Sequence, residues 1–124
     1  MFFRTSLVAM AAVLTLAAPA AAQNVDWKLL DSGVLVDTAH GKGVEMRIQP
    51  EPMVDGLFDS PEIGRIMVLL CNHYVPYVLP YVTEKFDMDK ADFISVRLLS
   101  GGAVFGRYIQ EFYAVSDDGC GAAL

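Results

Sequence analysis

Cys71 and Cys120 are the only cysteines in a chain of 124 residues, and they stand 49 positions apart. In an oxidising compartment an isolated pair of this kind forms a disulfide. Closing a loop of about 50 residues removes roughly 4 kcal/mol of unfolded-state entropy in the chain-entropy account. For a domain of this size that is a large share of the whole stability. The bridge would tie the tail from Asp117 to Leu124 onto whichever element carries Cys71. Thioredoxin-type redox pairs sit only two residues apart, so a spacing of 49 points to structure rather than redox chemistry.

The oxidising compartment is itself legible. Arg4 supplies a short positive start, Leu7 to Ala18 an apolar run, and Ala20-Ala21-Ala22 the small residues accepted by a signal peptidase. Residues 1–22 therefore read as a secretory signal cleaved after Ala22, leaving 23–124 as one domain in the periplasm or outside the cell. The apolar run ends in a proline and an alanine cluster, short of the roughly 20 residues of a spanning anchor. No cysteine lies near residue 23 to carry a lipid. Beyond the signal, no segment reads as long and apolar enough to cross a bilayer. Removing Arg4 takes the net charge from −6 to −7. The basic residues are scattered singly, so nucleic acid and anionic lipid surfaces are poor partners.

The period of the apolar positions predicts an α+β fold. Trp27 to Asp37 reads as a strand, and Gly41-Lys42-Gly43 as a turn. Val44 to Gln49 alternates, with Val44, Met46 and Ile48 facing a core until Pro50 ends the strand. An acidic loop follows over 50–60. Ser60-Pro61-Glu62 reads as a helix start with Ser60 as N-cap. Ile63, Ile66, Met67, Leu70 and Tyr74 then form one apolar stripe, with Cys71 on its flank. Val75 precedes Pro76, where the helix should stop or kink. The sequence leaves Tyr77 to Phe86 open between a kinked second helix and irregular chain. Asp92 to Ser100 reads as a third strand with Ile94, Val96 and Leu98 inward, and Phe105 to Val115 as a fourth. The expected order is β-β-α-β-β: a small antiparallel sheet with one main helix on one face.

Little in the chain suggests catalysis. Cys71 and His73 could ligate a metal only if Cys71 were a free thiolate, and His40 has no second ligand at a recognised spacing. Asp87-Met-Asp89-Lys-Ala-Asp92 resembles the start of a calcium loop but lacks its glycine and its closing glutamate. No serine stands in a nucleophile-elbow setting, and Ser100-Gly101-Gly102 lacks the lysine of a phosphate loop. No cofactor is expected.

The stretch from Tyr74 to Val82 holds three tyrosines, two prolines and four aliphatic residues without a charge. Rigid segments presenting tyrosines beside aliphatic groups are what protein-binding patches use. Tyr74, Tyr77 and Tyr81 are thus the candidate binding residues, with the acidic 51–62 loop beside them. The competing reading has the same stretch as core covering the sheet.

Val104-Phe105-Gly106, Gln110-Glu111-Phe112-Tyr113-Ala114, Asp118-Gly119-Cys120 and the upstream Leu70-Cys71 together resemble a family of small exported alphaproteobacterial proteins, a domain of unknown function. The resemblance covers about half of the mature chain. Members often carry an aromatic residue soon after the last cysteine, and Gly121 to Leu124 departs from that. What it implies is an exported, disulfide-bearing α+β domain, with no activity to carry over. The expectation is a non-enzymatic exported protein that binds another protein, as an accessory or inhibitory subunit. A small-molecule or metal carrier using His73 and neighbouring acids is the alternative, and a small hydrolase the third.

Overall fold

The computed structural model describes residues 12–13, 25–101, 106–117 and 119–124. Six strands follow one another across a single sheet in chain order: β1 (Ala12–Val13), β2 (Asp26–Asp37), β3 (Gly41–Glu51), β4 (Ile94–Leu99), β5 (Tyr108–Ser116) and β6 (Gly119–Ala123). One long helix, α1 (Ile63–Lys85), lies between β3 and β4. The fold is α+β, with one main helix and the Cys71–Cys120 disulfide. Of the expected signal, only residues 12–13 fall among the described ones. The expected start of the fourth strand at Phe105 also lies outside them.

The pairing departs from an all-antiparallel sheet at one place. β2–β3, β4–β5 and β5–β6 are antiparallel, but β3 and β4 run parallel, with Val44 beside Ile94 and Ile48 beside Leu98. The physical reason is α1. It returns the chain to the end of the sheet where β3 began, so the next strand starts in the same direction.

β2 and β3 form the expected hairpin, and alternation sorts their faces. Val44, Met46 and Ile48 are fully buried, as are Ile94, Val96 and Leu98 on β4. These six face α1, which covers them with Ile66, Met67, Leu70, Tyr74, Val75, Val78 and Val82. Trp27 closes the core at the β2 end. Its register partner Pro50 has no N–H to donate, and the Tyr74 hydroxyl donates to the Trp27 carbonyl at 2.9 Å. Pro50 thus lies within β3 rather than ending it. A 3-10 turn at Leu57–Asp59 plugs the core's end with Leu57 and Phe58.

The ends of α1 are held by identifiable bonds. Ser60 does not cap the helix directly, because regular helix begins three residues later. Its hydroxyl accepts the Glu62 N–H at 3.1 Å, and the Ile63 N–H reaches the Ser60 carbonyl at 3.1 Å. At the far end the Met88 N–H bonds to the Thr83 carbonyl at 2.8 Å and the Asp87 N–H to the Glu84 carbonyl at 3.3 Å. This is a Schellman close, with Asp87 at φ 53° where glycine is usual.

α1 neither stops at Val75 nor leaves Tyr77 to Phe86 irregular; it runs unbroken past Pro76 and Pro80. Both prolines are four residues apart on the outer, exposed face. The ladder bonds they remove would have ended on the Asn72 and Pro76 carbonyls, which belong to exposed residues on the same solvent side. Thr83 Oγ1 donates to the Leu79 carbonyl at 2.8 Å one turn on. The inner face stays continuous across both prolines, and its burial outweighs the lost bonds.

The tail is a strand rather than a loose segment. Cys120 lies on β6, and its Cα is 6.1 Å from that of Cys71 on α1. The Cys120 N–H also donates to Asn72 Oδ1 at 2.9 Å.

Candidate functional site

Burial divides the tyrosines that the sequence grouped together. Tyr74 is fully buried and bonded to Trp27, so it belongs to the core and leaves the candidate surface. Tyr77 and Tyr81 are 58% and 55% exposed. The reason is helical period: Tyr74 shares the inner face with Val78, whereas Tyr77 and Tyr81, four apart, share the outer one. The core reading therefore holds for the inner face of the helix, while the outer face leaves Tyr77 and Tyr81 exposed.

The outer face of α1 reads Val68, Asn72, His73, Pro76, Tyr77, Pro80 and Tyr81, all exposed. Arg65 precedes this stripe and Glu84 and Lys85 follow it, so no Asp, Glu, Lys or Arg interrupts it. Lys85 Nζ lies 3.4 Å from the Tyr81 hydroxyl and 5.5 Å from the centre of its ring. The prolines and the disulfide behind Cys71 stiffen the backbone that presents these rings. Beside the stripe, a cleft of about 310 Å³ is lined by Leu79, Pro80, Thr83, Asp89, Ala91 and Val115, among others.

The acidic 51–62 loop runs from Glu51, opposite Asp26 beside Trp27, to Glu62 at the start of α1, which lies about 22 Å along the helix from Tyr77 at 1.5 Å per residue. Three of its acids are already paired: Glu51 with Lys28 at 2.7 Å, Asp59 with Arg107 at 3.1 Å and Glu62 with Arg65 at 2.8 Å.

α1 also corrects the reading that nothing past the signal could span a bilayer. Unbroken through both prolines, it is 23 residues long, with a mean hydropathy of 1.3 over its most apolar window. Eight of its residues are buried in the domain. A helix so packed matches the core helix of a globular domain.

A second cluster lies on the sheet face turned away from α1. Glu45 Oε2 accepts from Gln110 Nε2 at 2.8 Å and from Ser95 Oγ at 3.2 Å, and Gln110 Nε2 also reaches Ser95 Oγ at 2.9 Å. Arg97 stacks on Tyr108 at 4.1 Å, with Nη1 4.0 Å from Glu45. At the turn end, His40 Nδ1 lies 2.8 Å from Asp37 Oδ2, while its ring stacks on Phe112 at 4.9 Å. The hydrogen bond from His40 holds the Asp37 carboxyl below its ordinary value, with the His40 and Ala39 backbone N–H groups adding to it. Fully buried Phe93 meets Phe112 edge-on at 5.3 Å. Alternation places Glu45 and Ser95 each on the non-core face of its strand. Their meeting depends on the parallel register, which the sequence does not encode.

For metal or carrier chemistry, His73 stands mid-helix with its ring edge-on to Tyr74 at 4.9 Å. Its outer-face neighbours three and four residues on are Pro76 and Tyr77, not acids. Among the described residues no three His, Cys, Asp or Glu side chains are grouped to hold a metal ion. Exposed Asp92, from the segment that resembles the start of a calcium loop, supports the backbone: its carboxylate accepts the Lys42 N–H at 3.0 Å.

Comparison of the chain with protein-family models, curated protein sequences and solved structures returns no match.

Proposed function

We propose that this is an exported, non-enzymatic domain that binds another protein through the outer face of α1, as an accessory or inhibitory subunit in the periplasm or outside the cell. The observation that carries the reading is the exposure of Tyr77 and Tyr81, each directly after a proline, on a helix anchored from behind. Binding surfaces concentrate their energy in aromatic side chains of this kind, because a rigid ring buries much area at little entropic cost. The cleft next to Pro80 offers a recess for a side chain of the partner. The net charge, −6 for the whole chain and one unit more negative without Arg4, favours a partner of basic or neutral surface.

Photo-cross-linking residues placed at 77 and 81 in the exporting cell should join the same single protein, and a control at Glu51 should join none. Tyr77→Ala with Tyr81→Ala should abolish that complex while the melting temperature stays within about 2 °C, since exposed side chains contribute little to folding. Recovery of only uncross-linked monomer, or a complex that survives the double substitution, refutes the reading.

A further inference from the structure

The sheet has two edges of unequal character. β6 is five residues long and is bound to α1 by the disulfide. β2 is twelve residues long, and a bulge between Leu29 and Asp31 divides it. Its first arm carries the only strand seated outside it among the described residues: Ala12 pairs with Trp27 and Val13 with Asp26. Those two residues belong to the segment that the export reading removes at Ala22. Cleavage would vacate an edge that accepts an extended antiparallel chain, and an open edge is a template for pairing.

We infer that, once the leader is cut, the arm Asp26–Leu29 of β2, with Val25 just before it, pairs antiparallel with the same segment of a second copy, the two-fold axis passing at Trp27. This inference rests on the export reading and concerns a surface separate from α1. The residue pattern selects both occupant and register. With Trp27 opposite Trp27, Asp26 of each copy lies across from Lys28 of the other, on the sheet face away from α1. Val25 lies across from Leu29 on the α1 face, so the two apolar edges of the cores adjoin. Paired residues share a face, so both helices stand on the same side of one continuous sheet. Opposite charges across a strand pair attract, and like charges repel. A shift of one pair in either direction sets Asp26 against Asp26 or Lys28 against Lys28. The bulge confines regular pairing to this arm. Lys28 already meets its own Glu51 at 2.7 Å, and in the pair it lies between that carboxylate and the partner's Asp26.

The charges provide the test. The protein recovered from the exporting cell, with its N-terminus read by intact mass, should sediment at twice the mass of the single chain in low salt. Asp26→Lys alone and Lys28→Asp alone, each checked for a native circular dichroism spectrum, should sediment as single chains. Mixed one to one, they should form a heterodimer, because each supplies what the other lacks. The double variant Asp26→Lys with Lys28→Asp should dimerise again and keep the proposal testable should either single variant misfold. A cleaved wild-type protein that stays single at every concentration overturns the pairing, as does a double variant that does not re-associate. A mass showing Met1 still attached instead overturns the export reading, and this proposal with it.

Discussion

Asn72 Oδ1 accepts the Cys120 backbone N–H at 2.9 Å, from the helix position directly after the other half of the disulfide. A covalent and a polar tie thus act on the same point of β6. Gly119 beside it takes φ 144°, and a Cβ there would meet Asn72 Oδ1 at 2.6 Å. Asn72→Ala should lower unfolding free energy by about 1 kcal/mol with the disulfide intact. Reduction should cost more, roughly 4 kcal/mol by loop closure. Urea titrations with and without reductant measure both effects, and hydrogen exchange after reduction should show β6 opening before β3 or β4.

The two faces of α1 predict opposite responses to substitution. Tyr74→Phe removes the hydroxyl that donates to the buried Trp27 carbonyl and should destabilise by about 1–3 kcal/mol. Substituting Tyr77 or Tyr81 should move stability by less than about 0.5 kcal/mol. Chemical denaturation of the three variants checks the division independently of any partner.

Asp87 closes the helix in a left-handed conformation that costs a residue with a Cβ. Asp87→Gly should therefore stabilise by about 0.5–1 kcal/mol while leaving the circular dichroism spectrum unchanged. Destabilisation would mean that the carboxylate supports the turn in a way its hydrogen bonds do not show.

Stability should fall at both extremes of pH. Asp37 is held below its ordinary carboxyl value mainly by the hydrogen bond from His40, and Asp59 mainly by that from Arg107. A depressed folded value stabilises above the unfolded value near ~4 and loses that contribution as pH falls through the folded one. The advantage of wild type over Asp37→Asn should thus shrink below about pH 4. Tyr113 behaves in the opposite sense. Burial, aided by the Glu111 charge, pushes its hydroxyl up to about 12. Its contribution is complete below the unfolded value near ~10 and is lost as pH rises from there through the folded one. Tyr113→Phe should remove that part of the alkaline melting, followed by thermal scans.

Hydrophobic period made most of the fold legible. Val44, Met46, Ile48, Ile94, Val96 and Leu98 are the positions that alternation marks as inward, and all six are fully buried. Direction was not legible, because a period of two is the same for parallel and antiparallel strands; only the path of α1 decides it. Pro76 and Pro80 misled for a local reason. The rule that a proline ends a helix weighs one lost bond and a bias on the preceding residue. It does not weigh Tyr74, Val75, Val78 and Val82, whose burial continues on the far side. β6 was hidden by its composition: Gly119, Gly121 and Ala122 have weak strand preference, and the disulfide and Asn72 supply what propensity does not. At the site, exposure followed from helical period once the helix was known to continue, which separates Tyr77 and Tyr81 from Tyr74. The cluster of Glu45, Ser95 and Gln110 needed a tertiary register that no single strand carries.

The spacing of the two thiols also sets an order of events. A chain that is made or threaded N-terminus first delivers Cys71 long before its mate, which lies close to Leu124. During that interval the sulfur has nothing of its own to oxidise against. The residues of β2, β3, α1, β4 and β5 are therefore all delivered before the covalent seal is available.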